Sequence, residues 1–341
     1  MATALRIPPT CIWPDGTERI PDEPWTHEPL DAFGTSYDAL DAHGWYRNLD
    51  PTVAQILASL RDDDILIDYS GGTGILDRRL LRTLRRPAGI LIADSSPKFL
   101  RVALEDLGAD ERVAFRLLPY LKTERRLRTL DEVLGDELLA RGADLLASTN
   151  AIHLYSDLPP TLRGWRRSLR PGARVFISSG NLRNPNAREG EWIIDETVAA
   201  INEIAARWVQ TEPVFEEYRS GLADSDRMAA YSALRDKVFV PVRPLDFYTD
   251  TLTSTGFDVL SVFDMTIQAR VSEWAHLLTT YHEGVLGWVG GSEKIDGQAP
   301  TERAVRDRLF LIRSSLDRLF KHEDTFNCCW TYMTCQSRGE A

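Results

Sequence analysis

Between residues 68 and 74 the chain reads Asp-Tyr-Ser-Gly-Gly-Thr-Gly, at the end of an apolar run and the start of a helical one. Glycines there let backbone approach a ligand closely, and the helix N-terminus beyond them favours anionic or carboxylate groups. Asp94 closes the next apolar run, 20 residues after Gly74 and with Ser95 beside it. A carboxylate at that place can accept both hydroxyl protons of a ribose. Loop and acid at this spacing point to a cofactor that carries a nucleoside. A dinucleotide fingerprint is disfavoured: counted from Gly72, its third glycine falls on Asp77, whose side chain and charge are wrong for close packing beside a pyrophosphate. The triphosphate-binding loop fails as well, because no Gly-Lys-Ser/Thr follows.

What remains resembles the class I S-adenosylmethionine-dependent methyltransferases, whose first motif is an apolar strand, an acidic residue and a D-x-G-x-G-x-G loop. Asp68, Gly72 and Gly74 match that motif, and Ser70 replaces its first glycine. Asp94 matches the family's ribose-binding acid. Residues 143–180 look like its fourth strand, helix and fifth strand, in which the Leu-Arg-Pro-Gly step is particularly characteristic. The resemblance runs from about Tyr37 to Gly180 and more loosely through the last two strands. It implies a doubly wound, mostly parallel seven-stranded α/β sheet, S-adenosylmethionine as cofactor, and in-line methyl transfer to an oxygen, nitrogen or carbon nucleophile. One departure stands out. The family often places an acid after the third strand to hold the adenine amino group, whereas this chain has Leu117-Leu118-Pro119-Tyr120, leaving Tyr120 to stack on the base.

In-line transfer asks the protein chiefly to align the reacting atoms and to exclude water. Asn150 stands near the place where the family lines the methyl-transfer site. His153, three residues on, is the leading general base, since a neutral imidazole accepts a proton near pH 7; packing or orienting is its alternative role. Tyr155 lies on the same loop and can hydrogen-bond substrate or cap the core. Tyr37, Tyr46 and Arg47 precede the first helix, where family members contact the methionine moiety; Arg47 can clamp its carboxylate or be an ordinary surface arginine. His276 and His282 are separated by about 600° of helical turn and do not face one ligand. His282, with Glu283 or brought against His153 by folding, is kept as a catalytic candidate, and no metal is expected. Trp192, Trp208, Trp274, Tyr281 and Trp288 either form core or line a pocket for a small aromatic or apolar substrate.

The elements that must position these groups follow from periodicity. Residues 50–61 place Val53, Ile56, Leu57 and Leu60 on one face after Asp50-Pro51, which predicts an amphipathic helix. Apolar runs at 65–70, 89–96, 113–118, 143–150 and 173–180 alternate with helical stretches, the pattern of a parallel sheet covered on both faces. A further strand is expected at 256–265 and a last one at 326–337. Helical insertions at about 181–250 and 266–324 read as lids over the carboxyl edge of the sheet, with a thickened core or a dimer surface as the alternative. Residues 1–36 read as an extended segment and 37–341 as a single domain. The formal charge of −11 over 341 residues argues against nucleic acid or an anionic membrane as partner. Neither a secretion signal nor a membrane span is visible, so the cytoplasm is the expected location. Four cysteines without C-x-x-C spacing indicate buried thiols. The resulting expectation is a methyltransferase of specialised metabolism acting on a small molecule, compatible with a homodimer. The alternative is a repurposed cofactor-binding scaffold or partner subunit, ahead of methylation of protein or nucleic acid.

Overall fold

Residues 12–31, 34–35 and 45–339 are described by the computed structural model. The continuous apolar runs become its central strands, because strands buried on both faces have no polar side to alternate with. These are β1 (Ile65–Tyr69), β2 (Gly89–Asp94), β3 (Val113–Leu117) and β4 (Ala143–Thr149), with every residue of β1 and β2 buried. β1 pairs in parallel with β2 and β4, and β2 with β3. β5 (Leu169–Ser179) runs parallel to β4 and begins four residues before its apolar run. The register slips from Ala143 opposite Leu169 to Leu145 opposite Arg174, so the Arg-Pro-Gly step is looped out of the ladder, with Gly172 at φ +80°. β6 (Phe257–Arg270) and β7 (Thr325–Ser337) complete the sheet in the order β6-β7-β5-β4-β1-β2-β3, with β7 antiparallel to β5. The doubly wound, mostly parallel seven-stranded sheet expected from the sequence is therefore present, with helical insertions after β5 and between β6 and β7.

The helices between strands start where their caps lie. α1 (Asp50–Ser59) carries Pro51 in its first turn, and α2 (Ile75–Thr83) follows Gly74 at φ +79°. α3 (Pro97–Leu107) is capped by Ser96, whose hydroxyl accepts from the Phe99 N–H, and α4 (Leu158–Ser168) ends as Leu169 turns to extended backbone. Within residues 12–31, Trp13 and Trp25 are buried, and Arg19 is bound to β3 through its carbonyl, which accepts from Phe115 N at 2.8 Å.

The chain divides into two compact units, one of residues 1–179, 245–264 and 331–341, the other of residues 180–244 and 265–330. The second contains α5 (Glu196–Thr211), α6 (Ser225–Val238), α8 (Val271–Thr280) and α9 (Glu302–Leu319), and α7 (Leu245–Ser254) belongs to the first. Two buried indoles of the second unit are satisfied within it, Trp274 donating to Thr197 Oγ1 and Trp288 to Asn202 Oδ1, both at 2.8 Å. Those rings are core of this unit. At its centre the fully buried Arg308 donates to the carbonyls of Gly287, Val289 and Gly291 and, at 2.8 Å, to His282 Nδ1. Among the described residues no helix is long and apolar enough to cross a membrane.

Candidate active site

The turn after β1 is built from backbone that side chains rarely tolerate. Ser70, where the resembling motif has glycine, sits at φ +63°, and Gly72 and Gly74 lie at +58° and +79°. Ser70 is held there by its N–H, which donates to Ala93 O at 2.7 Å, and by a 3.0 Å hydroxyl contact with Tyr155 Oη. Tyr155 also meets Ser148 Oγ at 2.9 Å, and its ring stands edge-on to Tyr69 and Trp165. Burial holds its hydroxyl far above the ordinary phenol range, so Tyr155 is a neutral brace between β4 and the glycine turn. No atom lies within 4 Å of where a Cβ would stand on Gly72, so this stretch of backbone is open to a ligand.

Asp94 ties the turn to the end of β2. Its Oδ2 accepts from Gly72 N at 2.9 Å and its Oδ1 from Ser96 N at 2.7 Å. Burial raises its pKa and the backbone N–H groups of Ser96, Gly72 and Ser95 oppose that rise. These groups face a cavity of about 590 Å³ inside the first unit. Of the candidates from sequence, Ser70, Gly72, Asp94, Ser95, Tyr120, Asn150 and Tyr155 line it. Asn150 holds φ +50°, anchored by its N–H to Ser178 O at 2.6 Å, and its buried Oδ1 has no hydrogen-bond donor. Asn48, just before α1, repeats this: it lines the cavity, is 1% exposed, and its Oδ1 also lacks a donor. Orphaned buried amide oxygens are costly and call for a donor from outside the protein.

Other candidates are placed differently. Arg47 is exposed and outside the cavity wall, where Asn48 and Leu49 stand instead; the side chain of Tyr46 and all of Tyr37 lie outside the described residues. Asp68 and Gly74 sit behind the turn, with Gly74 against Leu107. The general-base reading of His153 is corrected: the imidazole is buried outside the cavity wall, Nδ1 meets Ser179 Oγ at 3.0 Å, and burial pushes its pKa down to about 3. Its ring is packed against β5 instead. His282 lies in the second unit, where its Nδ1 accepts from Arg308, and burial lowers its pKa further. A nitrogen already bonded to a guanidinium is a poor proton acceptor, which removes the chemistry that made His282 a candidate. Among the described residues no group of three His, Cys, Asp or Glu side chains is arranged to hold a metal.

Sequence reasoning missed Asn48 and a two-stranded ribbon after β3, Tyr120–Leu121 with Arg126–Leu127, which places Arg125 and Arg128 on the cavity wall. Their signal was the change from an apolar strand to a Lys- and Arg-rich turn.

No protein-family model and no curated protein matches the sequence. Solved structures similar in fold include a candidate methyltransferase from Bacillus halodurans C-125, 13% identical, covering 85% of this chain and 98% of that one at a TM-score of 0.47. A candidate sarcosine dimethylglycine methyltransferase from Galdieria sulphuraria is 12% identical, covering 90% and 99% at 0.48. A methyltransferase from Thiobacillus denitrificans, solved with S-adenosylhomocysteine, is 15% identical, covering 91% and 100% at 0.45. It is the strand order, with its antiparallel β7, that makes the fold of this chain that of the class I S-adenosylmethionine-dependent methyltransferases.

Proposed function

We propose that this chain is an S-adenosylmethionine-dependent methyltransferase acting on a small molecule. The observation that carries the reading is the open backbone at Gly72, set beside the buried Asp94 carboxylate on the wall of a 590 Å³ cavity. A nucleoside with an amino-acid tail fits the groups present. Asp94 retains lone pairs for ribose hydroxyls, Tyr120 offers an exposed ring to a base, and the donorless oxygens of Asn48 and Asn150 suit an ammonium group. When bound, the sulfonium supplies an electrophilic methyl group.

The chain's own contribution is binding, orientation and exclusion of water. Ser70, Tyr155 and Ser148 lock the turn, and Asp94 fixes its height. Among the described residues no histidine stands on the cavity wall, and Asp157 is the one carboxylate there besides Asp94. An acceptor that arrives with a free lone pair, such as an unprotonated amine, suits such a wall best. The acidic balance of the chain supports a small substrate over nucleic acid, and the cytoplasm is the proposed location.

The test is calorimetric titration with S-adenosylmethionine and S-adenosylhomocysteine, run beside nicotinamide dinucleotides. Micromolar binding of the first two alone is expected. Binding of the dinucleotides, or of none of the four, overturns the reading.

A further inference from the structure

Behind the glycine turn, β1 and α2 face one another with two aspartates. Asp68, near the end of β1, and Asp77, in the first turn of α2, are both fully buried. None of their four carboxylate oxygens receives a hydrogen bond from a neighbouring donor. The two carboxyls lie within hydrogen-bonding reach of each other. Among the described residues the nearby charges do little to relieve the pair: Arg78 acts on Asp77 but is shared with other partners. Asp94 on β2 adds a further negative charge, and Arg78 on α2 is taken up by Asp106 of α3 at 2.8 Å and by Thr73 O at 3.0 Å. On the far side of α2, Arg79 is paired with Asp50 of α1.

Two carboxylates in contact in a dry site cannot both ionise. One proton between them turns a repulsion into an O–H···O⁻ hydrogen bond, among the stronger kinds. The remaining single charge sits in the first turn of a helix, where the backbone dipole favours it. Burial and mutual proximity hold the pair's titration well above the ordinary carboxylate range. The pair also touches the turn directly. A Cβ built on Gly71 would lie 2.7 Å from Asp68 Oδ2, so the carboxyl is flush against the backbone that opens to the cavity.

We propose that Asp77 is a positioning residue for the cofactor turn: it shares one proton with Asp68, and the hydrogen-bonded pair supports residues 70–74 from behind. Loss of the proton at alkaline pH sets two anions against each other and displaces the turn, so ligand affinity falls as pH rises. The part played in ligand binding rests on the function proposed above; the shared proton does not.

Two measurements test it. The first is infrared difference spectroscopy of the ligand-free protein at neutral pH, wild type against Asp77→Asn. The asparagine can donate to an ionised Asp68 without any shared proton, so the carbonyl stretch of a protonated carboxylic acid should be present in wild type and lost in the variant. A spectrum with no such difference overturns the proposal. The second is titration of S-adenosylhomocysteine from about pH 6 to pH 9, in which wild-type affinity should fall about tenfold while Asp77→Asn stays flat. Parallel curves for the two proteins overturn it. Absence of binding by both proteins at every pH counts against the proposed function, and the infrared result then decides the shared proton alone.

Discussion

Asp94 is the residue on which the site geometry bears most heavily, and Asp94→Asn isolates its charge from its shape. The two carboxylate oxygens each accept a backbone N–H, from Gly72 at 2.9 Å and from Ser96 at 2.7 Å. An amide replaces one acceptor by an NH₂ group, so in either orientation one of these N–H groups faces a donor. Hydrogen bonds to a charged group are worth about 1.5 to 3 kcal/mol, and one is lost outright. The fold should therefore lose about that much stability. On the proposed function the same oxygens also hold ribose hydroxyls, and the turn moves when its tether to Gly72 is cut. A loss of about 1.5 to 3 kcal/mol in binding corresponds to an affinity about ten- to a hundredfold weaker for S-adenosylhomocysteine. Calorimetric titration and urea denaturation of wild type, Asp94→Asn and Asp94→Ala provide both numbers. Lower stability with unchanged affinity would make Asp94 a tether for the turn and nothing more. Unchanged affinity and unchanged stability together would refute the reasoning from the hydrogen bonds themselves.

Four further outcomes follow from the same geometry. His153 is held neutral in the fold, with its pKa lowered from 6.5 to about 3, so the stability it contributes is present above about pH 6.5 and is lost as pH falls toward 3. Denaturation of His153→Gln between about pH 4 and pH 6 should lack this slope, at most about 1.4 kcal/mol per pH unit, and an unaltered slope would remove the assignment. Gly74→Ala places a Cβ 2.9 Å from Leu107 Cδ1 on a residue at φ +79°, and should cost about 1 to 3 kcal/mol in urea denaturation. Tyr155→Phe removes a hydroxyl that meets both Ser70 and Ser148; it should lower affinity for S-adenosylhomocysteine by several fold while leaving near-ultraviolet circular dichroism unchanged, and full affinity would show that the brace is idle. In the second unit, Arg308→Met strands three backbone carbonyls and His282 Nδ1, and should cost at least about 3 kcal/mol. A change under about 1 kcal/mol would mean that water replaces the guanidinium there.

The sheet was legible because its central strands obey a local rule: a strand covered on both faces is a mainly apolar run, and Ile65–Tyr69 and Gly89–Asp94 are such runs, broken only by Asp68 and Asp94 near their carboxyl ends. The beginning of β5 was not legible, because Leu169 pairs with Ala143 while Arg170, Pro171 and Gly172 loop out, and a register slip is a property of two strands together. The site divides in the same way. Gly72 and Asp94 could be read because left-handed backbone asks for glycine and because the end of β2 falls a fixed distance beyond the turn. His153 could not, since an imidazole on that loop can face the cavity or β5, and the choice is made by Ser179, 26 residues away on the neighbouring strand. Trp274 has the residue type for either a pocket or a core, and its N–H, bonded to Thr197, 77 residues earlier, places it in the core.

Asp77 is a residue whose position is legible in one stretch of chain and whose role is not. Its carboxylate stands where a dinucleotide loop needs glycine, which argues against a pyrophosphate ligand, and in that reading its charge is only an obstacle. What the charge does depends on Asp68, nine residues before it across the turn, and on the lack, among the described residues, of a hydrogen-bond donor to either carboxyl. A side chain that excludes one cofactor from a turn can brace that turn for another, and the two roles differ by a single proton, which no pattern of residue types displays. Roles set by backbone conformation are thus open to reading from one stretch of chain, whereas roles set by a shared proton or a shared hydrogen bond become visible only when both partners are in place.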